Sequence, residues 1–475
     1  MKTYVTLILL VLFAGCKGMP TPGEREARQQ FQAVADSYRP EGKKPTLPVL
    51  TSQSSLSNFL TYALLNQPQV EAAYFDWLAS VERITVARSL PDPQLTFQMD
   101  IQQVVTSLMP GLMMSFPGMG KLRAAGALAA AQSQAQYFAF RSASLQSAYA
   151  VEGAYYQLYF LEEKVRVNRE NLGLLADLAK LARAQNEVGK ATLQDALRAQ
   201  IEQERVETEI ANLEDSRSAL LARFKAALGL GADQPAPPVP RRLESAPLDL
   251  TSDKMLEAAL AQNTRLKGME ADVHAAEAAI TQAYKARMPD ASVGLMADVK
   301  MSPTVYRPWG TVSIPLWRDK LAAEVAQAQA NKRAGEARLS AEQIALVVAV
   351  AEKAFLYREA SRNLALLQNQ LLPKQRYSLD VARSGYLAGQ IDFFNLTDAE
   401  QKLLRFGLDE VEARTQRELS RAELSLIVQG MPPTGAGMSG AAGRGTTAPQ
   451  GGMGGGGTGM LPGSPGASQK NKGGM

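Results

Sequence analysis

The chain has 475 residues, a net charge of +4, one Cys and one His. So small a charge, with no basic run interleaved with aromatics, gives nucleic-acid binding no support. One thiol and one imidazole argue against Cys/His metal sites and against His-based acid–base catalysis; His274, in an Ala-rich stretch, reads as an ordinary helix residue.

The N-terminus carries the one long apolar run. Lys2 precedes apolar residues 4–14 and then Gly15-Cys16, the pattern of a secretory signal. The run is too short for a membrane-spanning helix, which needs about 20 apolar residues. Ala14-Gly15-Cys16 resembles a bacterial lipobox, with Phe13 where Leu is usual, and implies a lipidated Cys16; the alternative is a plain signal peptide that leaves a free thiol. Lys17 after the Cys resembles lipoproteins sent to the outer membrane. A single acyl chain anchors weakly, so a second attachment is expected.

Residues 16–54 are polar and Pro-rich and read as a linker or wrap-around arm, and 55–90 as helix. Leu95, Phe97, Met99 and Ile101 then alternate with Thr96, Gln98, Asp100 and Gln102. This is a strand with one apolar and one polar face. A second strand is expected over 108–116, ended by Pro117. The period then changes. Residues 121–187 hold no Pro and three Gly, and Leu158, Leu161, Val165, Asn168, Leu172, Leu175, Ala179 and Ala182 follow steps of three and four. That is a heptad seam with one polar interruption. A helix of about 65 residues would be about 100 Å long. Gly189 breaks it, and a second helix returns to about Leu228 with Val206, Ile210, Leu213, Arg217, Leu220 and Phe224 at the same steps. Residues 231–250 form a Pro-rich link.

From there the chain repeats itself at an offset of roughly 200 residues, too long for a solenoid unit. Ala63-Leu64-Leu65-Asn66-Gln67 is echoed by Ala259-Leu260-Ala261-Gln262-Asn263, and Pro91-Asp92 by Pro289-Asp290. Ser115-Phe116-Pro117 with Lys121-Leu122 returns as Ser313-Ile314-Pro315 with Lys320-Leu321, and Gly189-Lys190 as Gly389-Gln390. Strands are expected at 292–301 and 305–314, and Pro373 should kink or divide the second long helix. The halves are therefore 55–230 and 251–430. Residues 431–475 hold 16 Gly, no aromatic and no acidic residue, and are expected to be disordered.

Each strand could cross a bilayer, and apolar/polar alternation is what a transmembrane barrel shows. Four strands cannot close a barrel, and open edges are not tolerated in lipid. The strands thus imply an oligomer sharing one barrel; three copies would supply twelve strands, enough by size trend for a watery lumen. A soluble sheet packed on the helices is the alternative. Ala and Ser in 124–135 and 322–330 would let long helices pack side by side. On this alternation Asp100 and Asp298 are expected to face the lumen.

The Asn66 region, Leu90-Pro91-Asp92-Pro93, Phe116-Pro117-Gly118-Met119-Gly120-Lys121, Ala154-Tyr155-Tyr156 and the Gly189 and Gly389 turns occur in an order that resembles the TolC family of bacterial outer-membrane efflux proteins. The resemblance spans about 55–430. It implies an α+β membrane protein built of duplicated strand–strand/long-helix repeats. Three chains would form a 12-stranded outer-membrane β-barrel continuous with a periplasmic α-helical barrel. It further implies a homotrimer in outer-membrane lipid, working with a periplasmic adaptor and an inner-membrane pump of the RND type, without cofactor, as a passive export duct. The substrate stays open between drugs and heavy-metal ions; the motifs at 91–93 and 116–121 also look like the heavy-metal branch. A lipid-anchored periplasmic coiled-coil scaffold without a pore is the competing reading.

The resemblance assigns residues as well. Arg183 and Gly189, with Arg383 and Gly389, would be helix-hairpin tips that meet the adaptor; otherwise they are plain turns with helix-end cations. Asn395 and Asp398, six and nine after the tip Gly, occupy the constriction positions, where only one is acidic; Asp195 is the first-repeat counterpart of Asn395. Solvated helix charges are the plainer account. Met109, Met113, Met114 and Met119 could suggest a soft-metal site. Adjacent Met113 and Met114, however, must point to opposite sheet faces, so no metal site is assigned. No phosphate loop, Ser/His/Asp set or metal-ligand cluster is present, so an enzyme is not expected. Glu202, Glu204, Glu207 and Glu209, among opposite charges, read as a solvated helix face.

Overall fold

Helix starts follow from capping. Thr21 Oγ1 accepts from Glu24 N (3.3 Å) ahead of Pro22, opening α1 (Pro22–Tyr38). Ser55 caps α2 (Leu56–Asn66), and Pro68 opens α3 (Pro68–Arg88). Strands β1 (Gln94–Ile101) and β2 (Val105–Phe116) come next, then α4 (Lys121–Glu187) and α5 (Leu193–Ala227). The second half gives α6 (Ser252–Gln262), α7 (Thr264–Lys285), β3 (Asp290–Asp298), β4 (Val305–Ser313), α8 (Arg318–Leu366), α9 (Leu372–Leu387) and α10 (Phe393–Gln429). This computed structural model describes residues 20–101, 105–189, 192–241, 243 and 252–429. The expected signal segment with Cys16, part of the 231–250 link and the 431–475 segment lie outside the described residues.

The long first helix is as expected: 67 residues, about 100 Å at 1.5 Å per residue. Its seam residues are buried except Leu172, which is half-buried. In the second half the break near Pro373 takes the form of a π-helical turn, Leu367–Leu371, between α8 and α9. Pro373 has no N–H and its ring crowds the carbonyl four residues back; one wider turn accommodates both.

The 16–54 segment, expected to be a linker or a wrap-around arm, carries the helix α1. Ala27, Phe31, Val34 and Tyr38 recur at helical spacing and pack on Tyr74, Trp77 and Phe140 of α3 and α4. The polar face of α1 is also used. Buried Glu24 accepts from Arg88, Thr85 and Arg28. Burial alone would raise its pKa; the three donors outweigh it and hold the carboxyl at about 2.

The repeated Asn/Gln motif has a structural cause. Asn66 Nδ2 donates to the carbonyls of Leu228 and Gly229 (3.0 Å each), and Gln67 Nε2 to those of Ala226 and Ala227. In the second half Asn263 Nδ2 donates to Ile427 O (2.8 Å). Each helix break thus satisfies the orphan C-terminal carbonyls of its own repeat's last helix. Gly229, at φ 70°, passes so close that a Cβ would lie 2.8 Å from Asn66 O.

The four strands form one antiparallel sheet in the order β1-β2-β3-β4, so the halves join at β2–β3. Among the helices, α7 packs between α4 and α8. Apolar clusters are strung along the helices, the last of them joining both hairpin ends. Among the described residues no helix is long and apolar enough to cross a membrane.

Candidate functional site: a two-faced sheet and paired helix tips

The register sorts every strand residue onto one of two faces. Gln94, Thr96, Gln98 and Asp100 pair with Met113, Gly111, Met109 and Ser107, and share their face with Ser292, Gly294, Met296 and Asp298. The other face carries Leu95, Phe97, Met99 and Ile101 with Leu112, Val293, Leu295 and Val312, all exposed. Asp100 and Asp298 therefore lie on the polar face. Asp298 is buried there, accepting from Ser107 Oγ (2.8 Å) with Arg307 at 3.8 Å; Asp100 is exposed. Met113 and Met114 do fall on opposite faces, opposite Gly294 and Val293. Gly294 is required, because Trp309 lies where its Cβ would be, 2.5 Å from the indole nitrogen.

A second device ties the sheet to the first long helix. Lys121 Nζ lies 2.8 and 2.9 Å from the two Asp290 oxygens, and Gly118 N donates to Asp290 Oδ1 at 2.6 Å. Both residues stand in repeated motifs; the repeat alone did not show that a motif of one half binds a motif of the other.

The two hairpin ends are built alike. Gly189 and Gly389 adopt φ of 75° and 74° and donate to Asn186 O and Tyr386 O. Arg183 and Arg383 are exposed and make no ion pair among the described residues. The hairpins pack on each other through Leu178, Ala179 and Ala182 of α4, Ala199 of α5, Leu379 and Tyr386 of α9, and Phe393, Leu396 and Ala399 of α10. Arg198 lies over the Phe394 ring at 5.7 Å.

Asp195 and Asn395 both sit in the first turn of a returning helix. Asp195 Oδ2 accepts from Thr192 N (3.0 Å) while Thr192 Oγ1 accepts from Asp195 N, a reciprocal capping box. In the second half Asp392 takes the cap, accepting from Asn395 N at 2.9 Å. Each repeat thus keeps one carboxylate in this turn, moved by three positions. Asp398 and Asn395 line an open groove of about 870 Å³ between α9 and α10, with Lys402 bound to Asp398 at 2.7 Å. Asp195 belongs to the other hairpin; from there its charge, after burial, helps raise the pKa of Tyr386 on α9.

One acid here escaped sequence reading. Glu400, two residues beyond Asp398, is buried where α4, α5 and α10 meet, and its Oε1 has no hydrogen-bond partner among the described residues. Burial pushes its pKa up to about 7; Asn171 and Arg205 pull it back only in part, and Glu202 adds to the rise. The carboxyl is therefore accommodated best when neutral. Relative to the native chain, Glu400→Gln should gain about 2–3 kcal/mol of stability above pH 7. The gain should shrink as pH falls and vanish below the ordinary value of 4.5. Helix melting at pH 8 and pH 4 checks this; equal melting shifts at both would contradict it.

A duplicated chain of paired strands and very long paired helices, with a sheet polar on one face and apolar on the other, is the architecture of an outer-membrane export channel. The outer membrane efflux protein model matches residues 60–230 and 255–428, both repeats, and the chain belongs to that family. Its members are channels rather than enzymes. Among solved structures, VceC from Vibrio cholerae aligns at 16% identity and TM-score 0.66, covering 79% of this chain and 96% of that one. The Campylobacter jejuni CmeC outer membrane channel aligns at 13% identity and TM-score 0.65, covering 82% and 91%. The open state of the Neisseria gonorrhoeae MtrE outer membrane channel gives 16%, 0.63, 82% and 94%. At such identities these relatives speak for the fold. No curated protein sequence matches.

Proposed function

We propose that three copies of this chain form a passive duct through the outer membrane and into the periplasm, its halves 55–230 and 251–430 being interleaved parts of one wall. The observation that carries this reading is the sheet. Its apolar face is exposed over all four strands, with Phe97 at 67%. A contiguous patch of this kind marks contact with lipid or a partner and is hard to reconcile with a soluble scaffold. The strands are 8, 12, 9 and 9 residues long, close to a bilayer crossing of about 9–11. Exposed Trp317 just past the helix-side end of β4 and Tyr306 at its other end fit the aromatic girdles of such barrels. In this reading the polar face, with Asp100 and Asp298, lines the lumen.

The energy for transport would come from an inner-membrane pump of the RND type, coupled through a periplasmic adaptor that grips the tips. The duplication favours this: two tips of one geometry per chain give six nearly equivalent docking points per trimer. An acyl chain on Cys16 would add to the barrel as an anchor. Substrates would be drugs or heavy-metal ions, chosen by the pump. Reversing the charge at Arg183 and Arg383 together should cut adaptor cross-linking and export about tenfold; unchanged export with normal protein levels would remove the tips from the docking surface.

Asp195, Asn395 and Asp398 would narrow the periplasmic end. Three copies of Asp398 would form a ring attracting cations, moderated by Lys402. Asp398→Ala should lower cation selectivity in planar-bilayer recordings, and Lys402→Ala should raise it. Identical reversal potentials for both variants and the native chain would place the constriction elsewhere.

A further inference from the structure

The join between the halves is half of a pattern that the chain cannot complete alone. Lys121 of the first half and Asp290 of the second form a close ion pair beside β2–β3, with the Lys side chain 23% exposed. Their repeat counterparts are Lys320 and Asp92. Lys320 is 71% exposed and, among the described residues, pairs only with Glu324, at 3.9 Å. Asp92 is exposed and makes no ion pair among the described residues. Two complementary charges are thus left over, one beside each open edge of the sheet.

We infer that Asp92 of one copy binds Lys320 of the next, and that this pair sets the register in which β4 of one copy adds to β1 of its neighbour. The inference rests on the oligomeric duct proposed above. Strand directions permit it, because β1 and β4 are antiparallel in the sheet order. The register follows from the internal join, where Ser115 faces Ser292, Met114 faces Val293 and Met113 faces Gly294. Moved by the offset of 198 residues between Asp92 and Asp290, and between Phe116 and Ile314, these become Ser313 facing Gln94, Val312 facing Leu95 and Thr311 facing Thr96. The faces agree without adjustment: Ser313, Thr311, Gln94 and Thr96 lie on the polar face of their own copy, Val312 and Leu95 on the apolar one. A slip by one residue would mix the faces.

The tips repeat the pattern. Phe393 on α10 is 1% exposed, sealed against α4 within the chain; its counterpart Leu193 on α5 is 66% exposed. Leu197 and Ile201 extend an apolar stripe along α5, and Tyr377 and Val381 one along α9, all exposed. Since α9 is the counterpart of α4, the neighbour's α9 is the surface that α5 would meet. One feature is not copied. Leu316 and Trp317 stand in the second turn where the first has Gly118 and Met119, and that turn is one residue longer. The tight Gly118–Asp290 contact therefore belongs to the internal join alone.

The test uses the full chain purified in detergent. Asp92→Lys should raise the rate of trimer dissociation about tenfold, Lys320→Asp likewise, and the double exchange should restore it. Gln94→Cys with Ser313→Cys should oxidise to covalent dimers and trimers, while Gln98→Cys with Ser313→Cys and each single variant should not. Trimers that persist without the Gln94–Ser313 cross-link, or a double exchange no better than the singles, would overturn the seam and leave the duct standing. Native chain that stays monomeric by light scattering would overturn the duct itself.

Discussion

Phe97→Arg should cost about 2–4 kcal/mol of stability in a bilayer, whereas Gln98→Arg, one residue on, should cost close to nothing. Phe97 is exposed on the apolar face, between Leu95 and Met99 on its own strand and opposite Pro110, and Gln98 stands on the polar face opposite Met109. A guanidinium on the lipid side near the midplane must snorkel or stay unsolvated, while one in a watery lumen keeps its hydration. Folding yield into vesicles, followed by the heat-modified shift of the assembled protein on a gel, reads the difference. If both substitutions proved equally harmless, the apolar face would not touch lipid.

The second large effect is expected at the buried ion cluster that locks the halves together. Arg421 of α10 donates to Tyr156 Oη at 2.6 Å and to Glu418 at 3.0 Å, and lies 3.4 Å from Glu152. Tyr156 and Glu152 belong to α4, so the cluster spans the repeats. Glu418 is fully buried, bound also by Arg417. Burial raises the pKa of Glu152, and Arg421 works against that rise. Arg421→Leu would leave the buried Glu418 and the half-buried Glu152 with too little positive charge and should destabilise the helical wall by about 3–5 kcal/mol. Thermal melting of helical circular dichroism measures it. Arg421→Lys should recover only part, because an ammonium lacks the planar fork that serves three oxygens at once. A melting point unchanged in the Leu variant would show the cluster to be energetically idle.

Much of this architecture is legible in the residues because it depends on period. Alternation from Leu95 to Ile101 marks β1, and steps of three and four from Leu158 to Ala182 mark the seam that is buried in α4. Features that depend on pairing were harder to see. Helix α1 hides in a Pro-rich, charged segment because its stripe is short and its buried Glu24 reads as a surface acid until Arg88 and Arg28 are brought to it. The change from Asp195 to Asn395 looks like a loss of charge between the copies. It is an exchange of capping chemistry, Thr192 with Asp195 in one half against Asp392 with Asn395 in the other. Glu400 could not be singled out, since its burial arises where three helices meet and no local pattern encodes that.

The most direct test of the duct is planar-bilayer recording from the purified full-length chain carrying Thr96→Cys or Leu95→Cys. Both residues lie on β1, one on each face. The account predicts discrete, equal conductance steps for both variants. A charged, membrane-impermeant thiol reagent should reduce the steps of Thr96→Cys and leave those of Leu95→Cys unchanged. Bilayers that hold the inserted protein yet show no steps, or a reagent that acts on Leu95→Cys instead, would contradict it.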